Sequence, residues 1–574
     1  MMEVKQLSDL RDIFISFDTE KLDECSVVYF NEVLANGQSP SDILNEYSFI
    51  VRPKPTAARN QSVVKTFMAE RYGGDGILSN GGGGRCGFDG IWQLKGLGPN
   101  QLVGNDVDPG HGDGNLSLET AVYESIWSEI IQAVLPFGAI RTIAILDTGS
   151  EFDLGGVMTP RGLLVRQPVV RPAHFIRATY FRQKQLNTLG EDAQRVKAVI
   201  GKLVEFLPGA SVLTSSSLAE RLQLGLLELA GRYAEQFAAA RAKHIIHYNV
   251  SASNLSLDGA WLDLSSTRLF THFINGDRTD VDRFNSEYLP SIQSLQSLCY
   301  YLSKYAVISF EQSLRLSETT TAHFMKTYDT QLSLYRATQA GFPLWLVRKL
   351  AHTVEFSDFS SSLENLLVLD DFTVSALTPV GDWDGYERWT ARLYSTLLSS
   401  KTSPESSINL AWLNNDRAKI GQLLSSYSQL FDLAAQAASE QHIDLHNFTC
   451  CMAINVTRLN RSHRVLHNLE ESIGRIRGDI QTNRESAYQK LMGEAVLAAR
   501  LNLANEHAVL TPFWLSHALS IWFDPGSGLF TLLDTDNRTL STPALIEIGK
   551  QQIEVSRALR FYHGIWSSLN EKEI

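Results

Sequence analysis

The sequence is poor in cysteine, carries no net positive charge and has no long apolar run, and each shortage excludes a class of protein. Its 574 residues include five cysteines without CxxC or zinc-ligand spacing, so we expect neither a disulfide scaffold nor a zinc site. The formal net charge of −12 argues against nucleic-acid binding, because replacing counterions needs a basic face. No run of about 18 apolar residues occurs, so no membrane span is expected, and the charged N-terminus lacks the apolar core of a signal peptide. These features favour a reduced, cytoplasmic protein.

Length and residue pattern predict an α+β fold in three regions. A chain of this length is too long for one core. Residues 1–185 mix strand, helix and glycine-rich signals, residues 186–400 are mostly helical, and residues 408–574 form an additional, mostly helical region. "SSKTSPESS" at 399–407 predicts a linker, and "WFDPGSGLFTLLD" at 522–534 predicts a hairpin.

The stretch "YGGDGILSNGGGGRCGFDGIWQLKG", residues 72–96, combines glycines with a lysine on a strand. Glycines let a backbone approach phosphates closely, although they also suit a flexible loop. Lys95 ends the strand-like "IWQLK", and Glu124 lies on the apolar face of a helix predicted over 117–136. A carboxylate on an apolar face needs a partner. A strand lysine paired with a helix glutamate is how protein kinases hold ATP phosphates, and a salt bridge at the rim of the fold is the alternative.

Two arginines, Arg171 and Arg177, follow a strand-like segment in "VVRPAHFIR". Guanidinium groups can clamp phosphates through forked hydrogen bonds. The alternative is an ordinary pair of surface arginines.

The segment "HYNVSASNLSLDGAWLD", residues 247–263, follows a long helix predicted over 216–243 and has the order of a kinase catalytic loop. Kinases use H-R-D-x-x-x-x-N followed by D-F-G. His247 and Asn254 keep the seven-residue offset, and Asp263 stands nine residues further on. Asparagine and aspartate oxygens suit Mg²⁺, which takes few protein ligands and borrows phosphate oxygens. We expect His247 to orient the loop and not to bind metal.

The order of these motifs resembles the SelO family of kinase-fold protein adenylyltransferases. "QLKGLGP" at 93–99 resembles that family's QLKGAGxTP, and "GDGNLSLETAVYESIWSE" at 112–129 resembles its GDGRAVLRSSIREFLxSE. "VVRPAHFIRATYF" at 169–181 is similar to LTRVAPSHIRFGTF, and the 247–263 segment is similar to HGVMNTDNMSILGLTID. The glycine-rich stretch looks like the family's YGGHQFG…LGDGRA. The similarity covers roughly residues 70–265.

The resemblance implies a two-lobed, protein-kinase-like core, with residues 1–185 as the N-terminal lobe and 186–400 as the C-terminal lobe. SelO proteins bind ATP in a flipped orientation, so that AMP is transferred. By position, Lys95, Glu124, Asn254 and Asp263 would be catalytic, and Asn254 and Asp263 would hold Mg²⁺. The implied ATP-binding residues are Gly82, Gly84, Arg85, Lys95, Asp113, Gly114, Arg171 and Arg177.

The chain departs from the family at the catalytic base, because Ser253 stands where SelO proteins have an aspartate. A positioned base helps a hydroxyl nucleophile by about 10²–10⁴ in rate, whereas a carboxylate is already an anion at neutral pH. The departure therefore favours adenylylation of a carboxylate.

The same departure points to a branch of the family that resembles the MchC/MceJ-type siderophore-microcin maturation proteins. These activate the C-terminal carboxylate of a precursor peptide for attachment of a glucosylated catecholate siderophore, with a small acyltransferase-like partner protein. Two alternatives stay open, namely AMPylation of Ser, Thr or Tyr side chains, and a nucleotide-binding pseudokinase scaffold.

Overall fold

A computed structural model describes most of the chain. The described ranges are 5–52, 63–74, 79–108, 112–184, 189, 191–210, 216–271, 278–367, 377–380, 383–402, 410–413, 417–479, 483–505, 509–533 and 537–563. The predicted α+β class is confirmed, since a large antiparallel sheet is combined with a mostly helical remainder. Part of the predicted glycine-rich stretch, residues 75–78, lies outside the described residues.

One antiparallel sheet of eight strands forms the N-terminal part of the fold. Its strands are β1 Phe14–Lys21, β2 Ser26–Phe30, β3 Phe49–Ile50, β4 Val64–Glu70, β5 Cys86–Phe88, β6 Gln93–Lys95, β7 Thr142–Leu154 and β8 Val157–Arg166. They lie in the order β2-β7-β8-β6-β5-β4-β1-β3. Alternate residues of β8 face opposite sides, because Leu163 and Val165 join one buried cluster and Leu164 joins another.

Helices cover both faces of this sheet and form the following region. They are α1 Pro40–Tyr47, α2 Leu118–Val134, α3 Ala193–Val199, α4 Leu203–Phe206, α5 Leu218–Ala242, α6 Arg278–Ser286, α7 Leu289–Lys304, α8 Phe310–Gln339, α9 Leu344–Leu350, α10 Val354–Leu367 and α11 Trp389–Thr402. The predicted helices over 117–136 and 216–243 are confirmed as α2 and α5. Both begin at a serine, Ser117 or Ser217, whose hydroxyl accepts a backbone hydrogen bond three residues on.

The prediction of a linker at 399–407 is wrong for residues 399–402, which are helical. Helix α11 continues to Thr402, because buried Leu397 and Leu398 hold its last turns against the core. Residues 403–407 lie outside the described part of the chain.

Two short strands, β9 Ile245–Ile246 and β10 Arg268–Leu269, pair with each other, and a three-stranded sheet contains β11 Thr378–Val380, β12 Trp383–Glu387 and β13 Arg461–His463.

The C-terminal region also contains a sheet of four strands. Its helices are α12 Arg417–Ser439, α13 Leu445–Asn460, α14 Leu469–Gly478, α15 Arg484–Leu503, α16 Thr542–Gly549 and α17 Ile553–Phe561, and β14 Thr511–Leu515, β15 Ser520–Asp524, β16 Leu529–Leu533 and β17 Arg538–Leu540 pair in sequence order. The hairpin predicted at 522–534 is confirmed as β15 and β16. The prediction of a mostly helical region missed three further strands, β13, β14 and β17.

Helices of the C-terminal region contact the N-terminal part directly. Helices α14 and α15 pack against α2, and α15 also contacts β2. Arg477 of α14 forms an ion pair of 2.7 Å with Glu119 of α2. One buried apolar cluster extends from Leu7 to Ala504, so residues of all three predicted regions share a core.

The structure also shows the state of the cysteines and the length and polarity of the helices. All five cysteines are free. Across the described ranges, every helix is too short or too polar to cross a membrane.

Candidate functional site

The structure brings together Lys95 and Glu124, the predicted strand–helix pair. Lys95 Nζ lies 2.8 Å from Glu124 Oε2 and 2.5 Å from Asp263 Oδ1. Lys95 ends β6 on the side of the sheet that faces α2, and Glu124 projects from the second turn of α2. Lys95 and Glu124 are buried, whereas the Asp263 side chain keeps 26% exposure. Three residues predicted from separate motifs therefore meet at one point.

Arg166 completes this cluster and was missed by sequence reasoning. Its guanidinium lies 3.4 Å from Glu124 and 3.2 Å from Asp263, and its Nε donates to Gln93 Oε1 at 2.7 Å. Strand β8 pairs with β6 in a register that sets Arg166 opposite Gln93. The available signal was an arginine that ends the apolar strand "GLLVR". A buried cation needs a carboxylate, and here it has two.

Charge balance in the cluster favours an ionised Asp263. Burial opposes ionisation, but the positive charges of Lys95, Arg166 and Arg171 outweigh it and hold the pKa of Asp263 well below its usual range. Burial likewise disfavours the charged form of Arg166, and Asp263 and Glu124 overcome it and raise the pKa of Arg166. Asp263 and Arg166 therefore each stabilise the charged form of the other.

Arg171, predicted to clamp phosphate, is buried and held by protein groups. It donates to the Ser253 carbonyl oxygen at 2.8 Å and to Gln93 Oε1 at 3.3 Å, and its guanidinium lies 4.9 Å from the centre of the Tyr72 ring. These contacts connect the sheet to the 247–263 loop. Its role toward a nucleotide stays a prediction.

Arg177 has surroundings different from those of Arg171. The short 3₁₀ helix Pro172–Phe175 turns the chain between the two arginines. Arg177 lines a polar groove with Tyr300 and Tyr301 of α7. Among the described residues no ion pair joins Arg177 to the Lys95 cluster, and a joint role of the two arginines at a phosphate stays a prediction.

The other predicted nucleotide-binding residues form one compact group beside β5. Arg85 donates to the Asn115 carbonyl at 3.1 Å, and Asn115 in turn donates to Asp113. A side chain on Gly82 would place Cβ 2.1 Å from a backbone oxygen, and one on Gly114 would place it 2.1 Å from the Gly98 carbonyl carbon.

Gly82 and Gly114 are required by the backbone, because a Cβ atom at either position would clash with neighbouring backbone atoms. Both have positive φ, at 143° and 71°. At Gly84 the nearest atom to an added Cβ would be a Val103 methyl group at 2.9 Å. Contact of these glycines with phosphate stays a prediction.

The 247–263 loop is held from within by His247. Its ring Nε2 lies 3.0 Å from the Leu262 carbonyl oxygen, and its Nδ1 accepts from the Asn249 backbone at 3.3 Å. Burial lowers the pKa of His247 to about 4, so the ring is neutral at pH 7. The expectation that His247 orients the loop agrees with these contacts.

We expect His247 to make stability depend on pH. The unfolded ring takes up a proton near pH 6.5, whereas the folded ring does so only near pH 4. The contribution is therefore present above pH 6.5 and is lost as the pH falls toward 4. Urea unfolding of wild type and His247→Gln should show their stability difference shrinking by about 2 kcal/mol from pH 7 to pH 5.

The comparison with His247→Gln cancels the titration of a neighbouring carboxyl group, and a second histidine variant serves as the control. Burial raises the pKa of Glu287, which accepts from the backbones of His247 and Tyr248, to about 7. Glu287 is common to both proteins, so the difference between them isolates the histidine. His352→Gln, at an exposed site, should show no pH-dependent difference. A constant difference for His247→Gln would contradict the neutral buried ring.

Ser253 occupies the predicted degenerate base position. Its hydroxyl lies 2.8 Å from the Ser251 hydroxyl and donates to Asn254 Oδ1 at 3.3 Å. Both serines are buried. Within the described loop, the nearest acidic residue in sequence to Ser253 is exposed Asp258, whose carboxylate bonds Ser256. The loop thus offers hydroxyls where a carboxylate base is expected.

Asn254 and Asp263 fit a Mg²⁺ ion that also takes phosphate oxygens. Asp263 Oδ1 takes the Lys95 and Arg166 contacts, and its partly exposed side chain has a second oxygen that accepts no hydrogen bond from the described residues. The Leu262 N–H donates to the Asn254 carbonyl at 3.2 Å, which ties the two positions together. The described ranges contain no group of three His, Cys, Asp or Glu that could hold a metal by themselves. A phosphate-dependent ion suits this donor set.

Comparison with known proteins adds no family assignment. No protein-family model matches the chain, and no curated protein is significantly similar to it. The likeness to SelO proteins therefore stays a prediction drawn from the motifs.

Proposed function

We propose that the chain is an ATP- and Mg²⁺-dependent adenylyltransferase with a protein-kinase-like, SelO-like core. The observation that carries the proposal is the bridging position of Lys95 between Glu124 and Asp263. A lysine between a helix carboxylate and a metal-binding aspartate is the arrangement that orients nucleotide phosphates in kinases. In this proposal residues 1–185 and 186–400 are the two lobes, and 408–574 is an addition to them.

The proposed acceptor is a peptide C-terminal carboxylate. Ser253 and Ser251 supply hydroxyls and no base, which a carboxylate nucleophile does not need. One carboxylate oxygen attacks the α-phosphorus of ATP, the bond from that phosphorus to the bridging oxygen breaks, and pyrophosphate leaves. No proton has to be removed, and the product is an acyl-adenylate. When bound, Mg²⁺ offsets the charge of the phosphates.

The proposed product would serve a second reaction. An acyl-adenylate is an activated acyl donor, which in microcin maturation would be joined to a glucosylated catecholate siderophore. A small acyltransferase-like partner protein is the proposed second component. In the chain itself, Lys95 and Arg166 would stabilise negative charge at the phosphates, while Glu124 fixes the position of Lys95.

ATP–pyrophosphate isotope exchange tests the proposal. We expect Mg²⁺-dependent exchange with a candidate precursor peptide that has a free C-terminus, and none with the same peptide amidated. Stable label from α-labelled ATP on protein side chains, without exchange, would support AMPylation of Ser, Thr or Tyr instead. Tight nucleotide binding with neither signal would support the pseudokinase scaffold.

Ser253→Asp separates the two kinds of acceptor. Restoring a carboxylate at this position should speed transfer to a hydroxyl by about 10²–10⁴ if hydroxyls are the acceptors. With a carboxylate acceptor we expect little change in the exchange rate. Ser251→Asp, two residues away in the same hydroxyl pair, is the matched control for an added charge.

A further inference from the structure

A second cavity lies among the helices of the middle region, away from the Lys95 cluster. It has a volume of about 410 Å³ and is bounded by the end of α5 and by residues of α6, α8, α10 and α11. None of the residues that line it belongs to the candidate site. Its size is within the range of small-molecule sites.

Three guanidinium groups line this cavity. They belong to Arg241, Arg336 and Arg388. Two carboxylates, Asp329 and Glu364, also line it, and Glu364 pairs with Arg336. Cations therefore outnumber acids around the cavity, which gives its walls a net positive charge.

Arg388 is the least compensated of these cations. It is 9% exposed, and its guanidinium donates to the Lys243 carbonyl oxygen at 3.2 Å. Among the described residues no carboxylate pairs with it. Burial lowers the pKa of Arg388 to about 10. A buried cation without a carboxylate is costly, and an anion in the cavity would offset that cost.

Gln339 gives an independent indication of a ligand. Its side chain lines the same cavity and is 5% exposed, yet neither its amide nitrogen nor its amide oxygen has a hydrogen-bond partner among the described residues. Buried amides in folded proteins are almost always hydrogen-bonded. An amide without a partner and a cation without a carboxylate, both on residues that line one cavity, indicate a polar site for another molecule.

Aromatic rings form the remaining wall. Tyr288 and Tyr328 lie with ring centroids 4.5 Å apart, and Arg241 lies 3.9 Å from the centre of the Phe284 ring. Tyr394 faces the cavity from α11. These surfaces suit a planar ring, because aromatic side chains stack on flat groups.

We propose that this cavity binds a small organic anion, with a phosphate or carboxylate group held by Arg388 and Gln339 and a planar ring against the tyrosines. The site is separate from the adenylyl-transfer site and does not depend on the function proposed for it. Phosphate and carboxylate share the chemistry that a guanidinium and an amide recognise.

Titration calorimetry of the full chain with phenyl phosphate, benzoate and benzyl alcohol tests this site. We expect phenyl phosphate or benzoate to bind, and the one that binds more tightly identifies the anionic group. Neutral benzyl alcohol should bind at least about tenfold more weakly, because it lacks the charge-assisted contact. Absence of binding by both anions, or equal binding of benzyl alcohol, would overturn the proposal.

Variants of the cavity walls locate the binding. Arg388→Met and Gln339→Leu should each weaken anion binding, the first by about tenfold or more. Arg388→Met should fold without loss of melting temperature, because it removes an uncompensated buried charge. Arg392→Met, on the exposed face of α11 with its guanidinium over Trp412, is the matched control and should bind like wild type. Binding unchanged in both cavity variants would place the anion elsewhere and refute the inference.

Discussion

Asp263→Asn should reduce adenylyl transfer by about 10³-fold. The substitution keeps the size of the side chain but removes the charge that faces Lys95 and Arg166 at 2.5 and 3.2 Å. It also removes the carboxylate proposed to hold Mg²⁺. The measurement is ATP–pyrophosphate exchange at saturating Mg²⁺, together with the shift in melting temperature that Mg²⁺–ATP produces. Both signals should be lost together.

The control for this substitution lies on the same loop. Asp258→Asn changes an exposed carboxylate that bonds Ser256, and it should leave both the exchange rate and the shift in melting temperature close to wild type. Circular dichroism at the assay temperature should show both variants folded. Exchange by a folded Asp263→Asn protein at more than a tenth of the wild-type rate would remove Asp263 from the proposed metal site.

Arg166→Met should lower the free energy of unfolding by about 3–5 kcal/mol, because breaking a buried ion pair leaves its partner uncompensated. Arg166 is 2% exposed and contacts both Glu124 and Asp263. Methionine fills similar space but carries no charge, so Glu124 and Asp263 would lose one of the cations that face them. Urea unfolding at pH 7 measures the loss. We also expect weaker binding of ATP.

Arg141→Met provides the matched comparison. Arg141 precedes β7 and pairs with Glu129 of α2 at 2.6 Å, so it joins the same helix to the same sheet. Its side chain is 25% exposed, and solvent reduces the worth of such a pair to about 0–1 kcal/mol. If Arg141→Met and Arg166→Met lowered the free energy of unfolding equally, burial of the Lys95 cluster would not explain its contribution to stability.

Local sequence patterns were sufficient for part of the site. The contact of Lys95 with Glu124 could be predicted because a helix period places Glu124 on an apolar face and a strand precedes it. His247, Asn254 and Asp263 could be placed on one loop because they are close in sequence. The α+β class and the hairpin at 522–534 followed from the same kind of local periodicity.

The remainder depended on contacts between distant parts of the chain. Arg166 joins the cluster only because β8 lies beside β6, a pairing across about 70 residues that no local pattern reveals. The different surroundings of Arg171 and Arg177 depend on a turn whose direction spacing alone does not give. Residues of six helices line the cavity around Arg388 and Gln339, and its unpaired groups become visible only when those helices are assembled.

Helices α14 and α15 contact α2, which carries Glu124. Binding of a molecule to the C-terminal region can therefore be coupled energetically to the position of Glu124. A molecule that binds that region more tightly when α2 is in this position must stabilise the Lys95–Glu124 contact by the same free energy. The reverse also holds, since a ligand that stabilises the Lys95–Glu124 contact would strengthen such binding. The ion pair of Arg477 with Glu119 joins α14 to α2. A change in the C-terminal helices could therefore alter the position of Glu124, in addition to stabilising α2.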